Sequence, residues 1–231
     1  TSWIDALIIG YYLNQYYLGI YRTSTIMVNS LMSLITASVI PVLFVTLSRL
    51  QNDNEKFNNM YFKFQRIVAV LVLPLGVGVY LFRDFATQIM LGSQWKEASG
   101  VIGIWALTSA LMIVFGHFAS EVYRSKGKPR LSFFAQVAHL VVLVPTVIIS
   151  ANYGFWPLVY ARSLIRLQFV LVHIFILRVV IKSSVMIKIK NIIPIAFSVI
   201  VMFLCGYFLM KISDTILWSL LTIFVCIVVY F

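Results

Sequence analysis

Apolar runs about as long as a bilayer is thick recur along this chain, separated by short polar stretches. Read from that pattern, the helices are Trp3–Asn14, Tyr21–Leu47, Arg66–Leu91, Ser99–Tyr123, Leu131–Ser150, Pro157–Leu177, Ile192–Met210 and Ile216–Phe231. At about 20 apolar residues per crossing, the length allows roughly seven spans. Backbone groups in hydrocarbon must be satisfied internally, so spans are helices or closed barrels. Barrel strands alternate apolar and polar positions. Ile192–Met210 and Ile216–Phe231 are apolar on all sides, which excludes a barrel. The fold class is all-α, a polytopic transmembrane bundle of seven to eight helices. The first run, Trp3–Leu13, would rise only about 17 Å, and the last continues to Phe231. Both ends therefore read as cuts in a longer membrane protein.

Polar residues fall in stripes on four of these helices. Arg22, Asn29, Ser33 and Thr36 share one helical face, and Gln136, His139 and Thr146 share another. Ser109, Gly116, His117, Ser120, Glu121 and Arg124 lie along one side of the fourth helix. Arg162, Arg166 and His173 form a stripe in the sixth, with Arg166 near the bilayer midplane. An arginine at that depth costs about 3 kcal/mol by insertion scales, so it avoids lipid. Two readings follow. The arginines line a hydrated cavity and meet an anionic substrate, since a guanidinium fork bonds two phosphate oxygens at once. Alternatively they pair with an acid or with carbonyls as interhelical glue. No acid stands clearly at the midplane, and Asp5 reads as a helix-end charge or a coupling-ion site. His117 and Glu121, four apart, are candidates for proton coupling or for an interfacial contact. His139 and His173 read as packed, hydrogen-bonded histidines. Pro41 and the stretch Pro74, Gly76, Gly78 are candidate hinges.

Composition sharpens the picture. The chain is 61% hydrophobic and only 11% charged, yet carries a net charge of +11. Twelve of the 18 Lys and Arg lie at three connections: Ser48–Gln65 with Arg66, Arg124–Arg130 and Arg178–Lys190. Basic residues placed between spans report topology and contact with anionic membrane lipid, and nucleic acid is not a partner. The positive-inside rule makes those three connections cytoplasmic. Cys205 and Cys226 sit inside apolar runs as packing residues. The chain has no glycine loop for nucleotide phosphates, no paired-histidine metal motif and no nucleophile elbow. It reads as a transporter rather than an enzyme, with no cofactor and no metal.

The stretch Ile8–Phe57, IIGYYLNQYYLGIYRTSTIMVNSLMSLITASVIPVLFVTLSRLQNDNEKF, resembles the oligosaccharide-lipid (Wzx-type) flippases of the multidrug/oligosaccharidyl-lipid/polysaccharide exporter superfamily. So do LPLGVGVYLF, the LGSQWKEAS turn around Trp95 and the Gly127 loop. The resemblance implies two six-helix lobes. Residues 1–177 would be the second lobe, with its first helix truncated, and 178–231 two additional helices. It implies translocation of lipid-linked oligosaccharide repeat units across the cytoplasmic membrane by alternating access, for O-antigen or capsule biosynthesis. The partner would be a polyisoprenyl-pyrophosphate-linked oligosaccharide, together with polysaccharide polymerase or assembly proteins. Their spacing, rather than the resemblance, makes Arg162, Arg166, Arg22 and Asn29 the residues expected to hold the substrate. A cation-coupled multidrug exporter of the same superfamily, and a non-transporting scaffold of a polysaccharide assembly complex, are the alternatives.

Overall fold

The computed structural model describes residues 2–181, 190–213 and 215–231. Among them the chain forms nine helices and no strand. These are α1 (Ser2–Tyr12), α2 (Gln15–Arg49), α3 (Asn54–Leu81), α4 (Arg83–Met90), α5 (Ala98–Ser125), α6 (Arg130–Ala151), α7 (Phe155–Ile181), α8 (Ile193–Met210) and α9 (Ile216–Tyr230). Six of them, α2, α3, α5, α6, α7 and α8, are long and apolar enough to cross a membrane. The protein is a multi-pass membrane protein.

Several boundaries differ from the sequence reading, each for a local reason. The expected turn Gln15–Gly19 is helical because Asn14 caps α2: its Oδ1 accepts from the Tyr17 amide at 2.9 Å. The expected polar loop Ser48–Gln65 shrinks to residues 50–53, because Asp53 caps α3 by accepting from the Lys56 amide at 3.0 Å. Lys56 and Lys63 thus stand on a helix. The third span breaks at Phe82 rather than at its proline, and Arg83–Met90 forms a short separate helix. Pro41 and Pro74 lie within uninterrupted helices.

Helix α5 is the most buried span and packs against α2, α3 and α7. Gly76 permits one of these contacts. A side chain there would run into Ala110 and the Ala106 carbonyl, so the glycine is where α3 and α5 touch. Gly78 faces open space. Helix α5 is also interrupted. Ile113–His117 forms a π-helical turn, and the Val114 carbonyl is taken by Gln65 Nε2 at 2.8 Å. At its end, Gly127 adopts φ +68, with the Gly127 amide bonded to the Arg124 carbonyl and the Lys128 amide to that of Tyr123. This is a glycine-terminated helix end, and the RSKGKPR stretch turns there into α6.

The basic connections gather at one end of the bundle. Lys126 Nζ donates to the Gln51 carbonyl at 2.7 Å and to Asn54 Oδ1 at 2.8 Å. Asn58 Nδ2 donates to the Ile181 carbonyl at 3.2 Å, which brings the end of α7 beside the start of α3. Lys182 and Lys188 lie outside the described residues. At the opposite end Tyr17 stacks on Phe155, with ring centroids 4.6 Å apart. Helices α8 and α9 pack on each other, and α8 packs on α3 around Phe82, Met202 and Cys226. Cys205 and Cys226 are both free thiols.

Candidate functional site

Helices α1, α2, α5, α6 and α7 enclose a cavity of about 280 Å³. Its wall carries Asp5 from α1, Tyr21, Thr25 and Asn29 from α2, and Trp105 and Met112 from α5. Helix α6 adds Gln136 and His139, and α7 adds Arg162, Arg166 and Phe169. The helical period explains the convergence. Tyr21, Thr25 and Asn29 are spaced four apart, as are Arg162 and Arg166, so each set shares a face. Arg162 stands about 10 Å and Arg166 about 16 Å along α7 from its start, well inside a core of about 30 Å.

Both guanidinium groups are buried, and they are held differently. Arg162 Nε donates to both oxygens of Asp5, at 2.9 and 3.0 Å. Arg162 is 4% exposed and Asp5 2%, so this ion pair is fully withdrawn from solvent. Tyr21 adds a hydroxyl donated to Asp5 Oδ2 at 3.3 Å. Among the described residues, no acid is paired with Arg166. Its guanidinium carbon lies 4.0 Å from the Trp105 ring centre, and its Nη2 contacts Met112 Sδ at 3.6 Å. The Arg162 guanidinium carbon is 5.5 Å from the same ring. One indole thus carries two cations, an arrangement favoured by its quadrupole.

Three donors on this wall have no acceptor among the described residues: Arg162 Nη1, Arg166 Nη1 and Trp105 Nε1. A buried donor left unbonded costs about 1–3 kcal/mol, and more when charged. The arrangement therefore favours any acceptor that enters. With one carboxylate against two guanidinium groups, that acceptor is best an anion.

Both arginines line the cavity, and Arg162 is paired there as well. Arg162 has an acidic partner, and that partner is Asp5. Asp5 is buried beside Arg162 rather than serving as a helix-end charge: it stands about 10 Å from the Tyr12 end of α1, as Arg162 stands about 10 Å from the start of α7. Asn29 joins the arginines on the cavity wall, but Arg22 does not. Its guanidinium lies 5.5 Å from the Trp3 ring centre, outside the cavity. His117 and Glu121 are not drawn into a pair. Arg124 Nη1 takes both oxygens of Glu121, at 3.1 and 3.0 Å, while His117 meets Phe118 edge-on. His173 is sealed against Tyr123, whose hydroxyl lies 3.2 Å from its Nδ1. His139 lies 3.4 Å from Gln168 Oε1 and faces the cavity. Trp105 and Tyr21 were not singled out by the sequence reading. A tryptophan inside a span, away from the headgroup belt, was the available signal. Outside the spans, Lys126 has its ammonium held below the ordinary lysine range by burial, then by nearby Lys128.

The polysaccharide biosynthesis protein family matches residues 1–100. A succinoglycan biosynthesis transport protein of Rhizobium meliloti is 24% identical over 106 residues, covering 46% of this chain and 22% of that protein. A protein of Haloferax volcanii named "Probable low-salt glycan biosynthesis flippase" is 27% identical over 167 residues, covering 66% of this chain and 33% of its own length. An uncharacterized membrane protein in the cps region of Klebsiella pneumoniae is 22% identical over 150 residues, covering 65% and 31%. Among solved structures, the lipid II flippase MurJ in an inward closed conformation superposes with a TM-score of 0.78 at 19% identity. That match covers 98% of this chain and 48% of MurJ. The chain spans less than two thirds of the length of each of these proteins. The resemblance read from the residues holds: this is a multi-pass membrane protein with a MurJ-like helical fold, similar in sequence to proteins of polysaccharide biosynthesis.

Proposed function

We propose that the chain is the second lobe of a transporter that moves lipid-linked oligosaccharide repeat units across the cytoplasmic membrane, by alternating access, for surface polysaccharide synthesis. Residues 1–177 supply the lobe and 178–231 two further helices. The substrate is a polyisoprenyl-pyrophosphate-linked oligosaccharide. Arg162, Arg166 and Asn29 contact its pyrophosphate or an acidic sugar, and no chemical bond is made or broken. Pro41 and the Pro74–Gly78 stretch are where α2 and α3 bend. The end of the bundle carrying Arg124–Arg130 faces the cytoplasm and its anionic lipid.

The observation that carries this reading is the pair of buried guanidinium groups on one cavity wall, each with a donor to spare. A drug exporter handling cations would gain nothing from that surplus of positive charge. The scaffold reading expects both arginines to be neutralised, and only Arg162 is. The test is Arg166→Ala in the complete protein, with surface polysaccharide measured at matched protein level. A fall of tenfold or more, about 1.4 kcal/mol of lost stabilisation, is expected. Output equal to wild type removes Arg166 from the mechanism.

A further inference from the structure

The cavity contains its own anion. Asp5 occupies Arg162 through Nε, while Arg166 has no acidic partner among the described residues. The two guanidinium groups and one carboxylate leave a formal charge of +1. A ligand carrying one negative charge balances the cavity as it stands. The Arg166 guanidinium, which has a donor without a partner among the described residues, can take it without disturbing the ion pair. A ligand carrying two negative charges exceeds that balance by one and competes with Asp5 for the Arg162 guanidinium, so the Asp5 carboxylate loses its counter-charge in a low-dielectric site.

A buried carboxylate that loses its cation resolves the imbalance by taking up a proton. Tyr21 stays within hydrogen-bond reach of the displaced acid. The groups that face Asp5 are Tyr21 from α2, His139 from α6, and Arg162 and Arg166 from α7, while α5 contributes the uncharged Trp105. His139 is the one other group there that could accept the proton.

We infer that Asp5 couples this site to protons: a diphosphate displaces it from Arg162, and one proton enters the cavity for each diphosphate bound. The step is a charge exchange. Two negative charges on the ligand meet two guanidinium groups, and one proton joins Asp5. It rests on the reading of the cavity as a diphosphate site and supplies a coupling ion for it.

The test uses two small probes whose own charges do not change near neutral pH. P1,P2-dimethyl diphosphate carries two charges and dimethyl phosphate one. Affinity is measured by calorimetry on the complete protein in lipid nanodiscs, across pH. Diphosphate affinity should fall about tenfold per pH unit on the alkaline side, the signature of one linked proton. Dimethyl phosphate affinity should be level. Asp5→Asn, which mimics the protonated acid, should bind diphosphate as tightly as wild type does at low pH, with no slope. His139→Gln should keep the slope. A level diphosphate profile in the wild type overturns the inference, and so does a slope lost in His139→Gln. The wild-type profile decides the matter even if Asp5→Asn fails to fold. Arg166→Ala separates the two claims: lost binding with a level wild-type profile keeps the anion site and discards the proton, whereas binding unchanged by Arg166→Ala discards both.

Discussion

At the scale of the residue, the molecule turns on an asymmetry between neighbours. Arg162 and Arg166 sit one helical turn apart, share one indole, and differ in having or lacking an acid. Removing one member of a buried ion pair costs about 3–5 kcal/mol, because the other charge stays behind. Asp5→Ala should therefore lower stability by that amount, read from thermal unfolding in detergent. Adding Arg162→Leu should recover most of the loss, because no uncompensated charge then remains at that pair. That Asn29 and the two arginines stand on polar helical faces was legible in their spacing, but that Gln136 and His139 join them on one cavity was not, since a helical period does not say which faces meet. Nor was the bond from Arg162 to Asp5. It joins positions 157 apart, and no local period encodes such a pairing. Arg22 misled for a related reason: it shares a face with Asn29, but its long side chain leaves that face for Trp3.

At the scale of the element, hydrophobic runs gave the existence and order of the spans, because burial in lipid dominates every other preference there. Their ends were set by single polar atoms. Asn14 and Asp53 each add turns of helix where a polar stretch suggested a loop, and capping depends on side-chain geometry rather than on hydrophobicity. The π turn of α5 was likewise silent in sequence. It holds one residue more than an α-helical turn needs, so it sets the phase of Ala119–Ser125 relative to Ala98–Met112. Deleting Val114 alone should restore a plain helix and leave the following turn in phase, whereas deleting both Ile113 and Val114 should swing it by about 100°. Tyr123 would then lose His173, and Glu121 would leave its buried position. The double deletion should abolish the folded peak in size-exclusion chromatography, whereas the single deletion should retain it.

At the scale of the whole molecule, the bundle has two unlike ends. One gathers the basic connections, tied by Lys126 to Gln51 and Asn54, and the other carries the Tyr17–Phe155 stack. Their placement in a membrane can be read directly. With Cys205 and Cys226 replaced by alanine, Lys128→Cys should resist a membrane-impermeant maleimide in intact cells, and Ser93→Cys should react. The opposite pattern would invert the orientation.

The Asp5–Arg162 bond also bears on how the protein is made. During synthesis α1 reaches the membrane with its carboxylate well before α7 exists, and a lone acid among apolar residues does not rest in lipid. Helix α1 therefore settles only when Arg162 arrives 157 positions later. Chains released before α7 should leave α1 open to protease, so a helix made before α7 is secured only after it.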